Sequence, residues 1–387
     1  MSPHFSSCVP LPRILICFFL LSLVTTLNAR QARDGLPSPY HPNRPGAQAY
    51  AQGGAFVAST GSTASMLFNP AGIAQLEGRA VFTFEAGWNS RTEYLPFFNY
   101  DFTSQTRLLQ FVGLAVAVKP KWTAGAYFFR PTDYELDFGE LVVTTLNNPD
   151  GTGEVIQPVF ERRQFGLGLN LARSMSNAWH LGLGMEWRRT EVRDEVAALA
   201  AQGHADDFRF ALGSVVQWHD WRFGMALQSQ YKAEGEAAFE NGAYAIVPDP
   251  QNPSRPSTFV VEAASFKSSE PLTARLGFAT PPIFGKLTVT GDAEYKDYLE
   301  TVPRWQFYGG STLKLTSFLQ LAVGSFTFRK DYSGYVDGPS SEVFLTCGGT
   351  LRLGRAHIAA SFMEGDLLNE DFEGQSFFNM AVGFTLP

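Results

Sequence analysis

The chain has 387 residues, a net charge of −7, 17 % charged residues and 14 % aromatic residues, with phenylalanine alone contributing 34. The acidic balance argues against nucleic acid as a partner. The charged fraction lies below the quarter or so usual in soluble domains, and after the first thirty or so residues no apolar run reaches the about 20 residues of a spanning helix.

The first 29 residues read as a secretory signal. Arg13 precedes an apolar run over residues 14–24, and Leu27-Asn28-Ala29 is a small-residue exit, with cleavage expected near Ala29 or, alternatively, Ala32. Cys8 and Cys17 fall inside the signal, so the mature chain keeps only Cys347 and forms no internal disulfide. Ile16 stands where a lipid-anchored Cys17 needs a small residue, so no lipid anchor is expected.

Residues 30–78 show no strand alternation. Pro37, Pro39, Pro42 and Pro45 mark an extended leader, and AQAYAQGGAFVASTGSTASM is too rich in small residues to build its own core. FNPAGIAQLEG follows, with the marks of a short capped helix. Asn69 is an N-cap, Pro70 sits at the first helical position, Phe68 and Ile73 have staple spacing, and Gly78 ends the element.

From residue 79 onward the chain alternates. In WHLGLGMEWRRTEV, Leu181, Leu183, Met185 and Trp187 share one face, while Gly182, Gly184, Glu186 and Arg188 share the other. Fourteen such segments are expected, near 79–90, 106–118, 122–131, 161–173, 179–192, 207–218, 221–233, 270–280, 286–298, 305–316, 318–329, 343–353, 355–364 and 376–387. Every second connection is short, as at His219-Asp220 and Gly354, whereas stretches such as 132–160 and 234–269 are long. A sandwich has no reason to sort its loops so, but an outer-membrane barrel has tight periplasmic turns and long extracellular loops. The fold class is therefore all-β, a fourteen-stranded antiparallel transmembrane β-barrel over residues 79–387 with residues 30–78 as a plug in its lumen.

Trp122, Trp179, Trp218 and Trp221 stand beside short turns, as an interface girdle does. Glu186, Arg188, Arg209, Arg222, Arg275, Asp292, Glu294, Lys296, Lys314 and Arg352 fall opposite the oily face. A charge facing lipid near the midplane costs about 2–4 kcal/mol. These side chains are expected to form an internal ion-pair network.

AYAQGGAFVASTGSTASMLFNPAGIAQLEG resembles the amino-terminal hatch of the FadL-type outer-membrane transport family, whose hallmark is an Asn-Pro-Ala element after a small-residue stretch. Asn69, Pro70 and Ala71 match it in place, and YKAEGEAAFE, EPLTARLGFATPP and GDAEYKDYLE extend the likeness. Gly61-Ser62-Thr63 depart from it where the family often carries an acidic residue. The resemblance implies a Gram-negative-type outer membrane, the barrel-assembly machinery as a partner during insertion, and surrounding lipid and lipopolysaccharide. It also implies hydrophobic ligands such as long-chain fatty acids, captured at extracellular loops, held beside the hatch and released through a gap in the wall.

Candidate ligand contacts are Leu95, Phe97 and Phe98 in the first long loop, and Leu199 in the third, where residues 196–200 are expected to form a short helix stopped by Gly203. Near the hatch they are Phe56, Met66, Leu67 and Phe68. A non-transporting relative, a PorV-like barrel serving protein secretion or surface attachment, is the alternative. Catalysis is not expected. His204 lies near Asp206 and Asp207, but no serine sits in a nucleophile motif, no metal-ligand spacing occurs, and no cofactor is implied.

Overall fold

Period-two alternation sets the architecture, because a residue on a strand faces opposite its neighbours and one face can be greasy throughout. The computed structural model describes residues 45–76, 78–95, 100–137, 141–142, 155–156, 159–196, 199–249, 252–297, 304–330, 340–365 and 375–387. The strands are β1 (Ala80–Leu95), β2 (Tyr100–Lys119), β3 (Trp122–Asp137), β4 (Leu141–Val142), β5 (Val155–Ile156), β6 (Val159–Ser174), β7 (Trp179–Val196), β8 (Leu199–Trp218) and β9 (Trp221–Gln228), followed by β10 (Tyr231–Asp249), β11 (Asn252–Glu270), β12 (Leu272–Ala279), β13 (Leu287–Asp297), β14 (Arg304–Lys314), β15 (Leu319–Lys330), β16 (Ser340–Leu353), β17 (Ala356–Glu364) and β18 (Gln375–Leu386).

Fourteen strands close into one antiparallel ring, in the order β1-β2-β3-β6-β7-β8-β9-β12-β13-β14-β15-β16-β17-β18, with β18 paired back onto β1 from Ala80↔Leu386 to Arg91↔Gln375. Closure removes the open edges that water or lipid would otherwise have to satisfy. β10 and β11 pair with each other and prolong β9 and β12 beyond the ring, and β10 also meets β8 at Ala237↔Gly203. β4 and β5 form a separate two-stranded pair.

The barrel has a turn end, where its short connections lie, and a loop end. Turns are tight: Lys119 pairs with Trp122 and Trp218 with Trp221, with Lys121 and His219 at positive φ.

Two loop expectations are corrected. Most of 234–269 is a β-hairpin rather than a loop. The short helix expected around Val196 and Leu199 is strand: β7 runs to Val196, β8 starts at Leu199, and Gly203 pairs with Val192 instead of stopping a helix. Once a ladder is nucleated inside the wall, each further pair satisfies two backbone groups, so it continues past the apolar belt without needing an alternating pattern.

The outer face is apolar. On β6, Leu167, Leu169 and Leu171 are 54, 59 and 42 % exposed, while the alternate Gly168, Asn170 and Ala172 are buried. β7 repeats this with Leu183 and Met185 outside and Gly182, Glu186 and Arg188 inside. Such a belt is the surface of a barrel solvated by hydrocarbon. No helix among the described residues is long and apolar enough to cross a membrane.

Residues 45–76 lie inside the ring. The helix Ala47–Ala51 packs on β15 to β18, and the 3-10 turn Pro70–Ala74 packs on β3, β6, β7 and β8. Helices this short are unstable alone, so the wall holds them. Two apolar clusters do so. Tyr50, Phe56 and Phe68 join Phe326, Phe344, Phe377 and Met363 of the wall, and Met66 and Ile73 join Phe111, Tyr127 and Phe129. Phe68 and Ile73 thus belong to different clusters, and the expected staple between them gives way to tertiary packing.

Candidate functional site

Asn69 does close the turn that follows it. Its Oδ1 accepts from Ala71 N at 3.1 Å, and its Nδ2 donates to Val57 O at 2.7 Å and to Ser214 O on β8 at 3.0 Å. The Asn-Pro-Ala element can come this close because Gly182 and Gly213, paired across β7 and β8, lack side chains. A Cβ on Gly182 would overlap the backbone of Pro70 and Ala71, and one on Gly213 would overlap Asn69 Oδ1.

Further wall groups hold the hatch by its backbone. Glu85 Oε1 accepts from Gly46 N at 2.7 Å and Ala47 N at 3.0 Å, Thr346 Oγ1 accepts from Gly53 N at 3.0 Å, and Asp292 Oδ2 accepts from Phe56 N at 2.7 Å and Val57 N at 3.0 Å. Arg222 on β9 donates to Thr60 Oγ1 at 3.1 Å. The hatch is therefore tied to β1, β8, β9, β13 and β16.

On its loop-end side lies a cavity of about 60 Å³. Rings and aliphatic groups of Tyr50, Leu67, Phe68, Phe129 and Tyr308 form part of its lining, and Glu186, Arg188, Arg209, Glu270, Arg275 and Glu294 form much of the rest. The charges are paired: Arg188 with Glu186 and Glu270, Arg209 with Glu270 at 2.8 Å, Arg275 with Asp292 at 3.2 Å and Glu294 at 3.7 Å, and Lys296 with Glu294 at 3.2 Å. Two guanidinium groups also lie on rings, Arg188 over Phe129 at 4.9 Å and Arg275 over Tyr308 at 3.9 Å. Of the expected lumen charges, Lys314 and Arg352 are instead exposed at the turn end. They sit beyond the plug, where water reaches them.

The wall parts beside this cavity. β2 and β3 pair from Lys119↔Trp122 only as far as Phe111↔Phe129, although both strands run on toward the loop end. β3 also slips register against β6 between Phe129 and Thr132, and Pro131 within that slip lines the cavity. Proline has no N–H for a ladder, and a bulge bends its strand. Pro131 escaped notice in the sequence; a proline inside FFRPTDYELD was the available signal.

No family model and no curated protein matches the sequence. Solved structures do match its fold. The Ralstonia pickettii toluene transporter TbuX aligns with a TM-score of 0.66 at 12 % identity, over 89 % of this chain and 99 % of that one. The Pseudomonas putida toluene transporter TodX gives 0.61 at 14 % over 90 and 99 %, and a Pseudomonas aeruginosa FadL homologue gives 0.61 at 13 % over 91 and 99 %. The fold is that of the FadL-type barrels. Identity this low suffices because a lipid-facing wall constrains the period and polarity of its residues more than their identities.

Within this FadL-type fold the expected contact residues separate. Leu67 and Phe68 line the cavity. Phe56 and Met66 are 2 % exposed and lie in the two packing clusters. Leu95 and Leu199 lie at the loop-end limits of β1 and β8, while Phe97 and Phe98 fall outside the described residues. Arg188 and Arg209 take the expected place in the lumen network, and Glu270, which pairs with both, is the member missed from sequence. Glu270 reaches the two arginines because the wall strand breaks at Pro271, between β11 and β12. No cluster of three or more metal-ligating side chains occurs among the described residues.

Proposed function

We propose that this barrel is an outer-membrane channel for hydrophobic compounds that carry a polar head, long-chain fatty acids among them. Compounds are captured at the loop end, held in the cavity beside Leu67 and Phe68, and released through the parting between β2 and β3 beside Pro131. The observation that carries the reading is the mixed lining of the cavity. Aromatic and aliphatic walls suit a greasy chain, and arginines among them suit a carboxylate or hydroxyl. Toluene transporters share the fold, and a pure hydrocarbon is the competing substrate class.

At about 60 Å³ the cavity is smaller than the about 150 Å³ of an apolar cavity known to admit benzene. An occupant must therefore widen it, and the hatch is the part held by hydrogen bonds rather than by a closed ladder. Calorimetry on detergent-solubilised protein with decanoate, decanol and decane tests the reading, together with decanoate uptake in cells lacking their own channel of this type. Binding of decanoate and decanol above decane, with restored uptake, is expected. No binding of any of the three, with no uptake, overturns it. That outcome, given so filled a lumen, favours the second reading of a non-transporting barrel serving protein secretion or surface attachment.

A further inference from the structure

The turn end carries a charge pattern that neither the plug nor the cavity uses. Its exposed basic side chains recur from turn to turn: Lys119 and Lys121 at the β2–β3 turn, Lys286 before β13, Lys314 at the end of β14, and Arg352 and Arg355 at the β16–β17 turn. Asp220 is the one acidic side chain there among the described residues. The chain as a whole has a net charge of −7, so the basicity is local to this rim.

At one place the rim meets a groove. Arg173 and Trp122 pair across β6 and β3, and the guanidinium lies over the indole with Cζ 5.0 Å from the ring centroid. Lys121 is tied beside them, its carbonyl accepting from Ser174 N at 2.9 Å. Among the described residues no carboxylate lies within ion-pair distance of Lys119, Lys121 or Arg173. Trp122 and Arg173 face outward, and the next outward residues on their strands, about 7 Å away, are Ala124 and Leu171. Both line an apolar groove of about 750 Å³ on the outer face, which Leu169, Leu183 and Leu212 continue. A second groove of about 510 Å³, between Leu114, Ala126 and Leu167, shares Leu169 and Met185 with the first. The grooves exist because β3 presents only the methyl groups of Ala124 and Ala126 between the larger side chains of β2 and β6.

We propose that this place binds one anionic phospholipid, such as phosphatidylglycerol, from the leaflet that the turn end meets. Lys119, Lys121 and Arg173 hold its phosphate, and its two acyl chains lie in the two grooves. The proposal needs the barrel in a bilayer but is independent of what the barrel transports. Stacking on Trp122 fixes the guanidinium plane and leaves its N–H edge for phosphate oxygens, which arginine engages in pairs. The two lysines add charge at headgroup level on flexible apolar stems.

Native mass spectrometry of the delipidated full-length protein in detergent tests the site. The probes are phosphatidylglycerol and phosphatidylcholine with the same chains, and heat-modifiable gel migration checks that each variant is folded. One tightly held phosphatidylglycerol is expected, about tenfold above phosphatidylcholine, and millimolar inorganic phosphate should not displace it. Arg173→Gln is expected to weaken it about fivefold, the scale of one cation near an anionic surface, and adding Lys119→Gln and Lys121→Gln to abolish the preference. Ala124→Phe fills the groove and keeps the charges, so it should weaken both lipids. Lys314→Gln with Arg352→Gln and Arg355→Gln removes as much charge from the opposite side of the ring and is expected to leave the tight site intact. No preference in the wild type overturns the site, and so does an equal loss in this opposite-side variant, which would make the rim a diffuse charge. Unchanged binding in Ala124→Phe overturns the grooves as the seat of the chains. Displacement by inorganic phosphate, or retention on isolated cell-wall polymer without any lipid preference, overturns the lipid as occupant.

Discussion

Asn69 shows how one side chain fixes a segment at the residue scale. It is fully buried, and its three hydrogen bonds join the turn that follows it, the hatch segment at Val57 before it and the barrel wall. Asn69→Ala removes a cap worth about 1 kcal/mol and leaves two buried carbonyls without this donor, at about 1–3 kcal/mol each. The expected outcome is a folded barrel whose hatch residues 57–74 exchange deuterium faster and are cut by added protease. Asn69→Ser restores the cap but not the reach to Ser214 O, so it should recover only part of the protection. The cap was legible in the sequence, since N-capping depends on residues adjacent in the chain. The partner Ser214 was not, because 145 positions separate it from Asn69, and only barrel closure brings them together.

At the scale of elements, β3 carries the parted wall that the proposed release route uses. Pro131 interrupts both of its ladders, and the wall opens toward β2 at the level of the cavity. Pro131→Val supplies the missing N–H and a residue suited to strands. The expected outcome is a closed wall, with decanoate binding in detergent retained and uptake by cells reduced; unchanged uptake would place the exit elsewhere. Sequence periodicity located all fourteen wall strands but set the loop-end limits of β1, β2, β3, β7 and β8 short. Inside hydrocarbon one face must be apolar, so alternation is compulsory, whereas beyond it both faces are wet. The ladders of β7, β8, β10 and β11 therefore continue through Ala-, Glu- and Gly-rich stretches that carry no alternating signal.

For the molecule as a whole, the barrel presents an apolar belt outside and is filled inside by a plug packed into two lumen clusters. Leu183 is 60 % exposed on the outer face of β7. Leu183→Arg is expected to lower stability by about 2–4 kcal/mol if Leu183 lies near the midplane, measured by denaturant unfolding in lipid vesicles, and Leu183→Ala by less. The same substitutions in a soluble sandwich surface would cost little, so the comparison also tests which solvent the belt faces.

By itself the sequence determined the period, the sorted connections, the girdle of tryptophans and the Asn-Pro-Ala turn, hence a plugged barrel. These are signals that repeat or that act between near neighbours, so they survive without knowledge of what the chain folds against. Tertiary structure alone decided the cavity, the balanced ion pairs, the glycine seats and the parted wall. Glu270 meets Arg188 and Arg209, and Asp292 meets Phe56, only because a closed ring turns distant residues inward onto one small volume. A pattern of period two states which face a residue takes, and closure states which residues that face then meets.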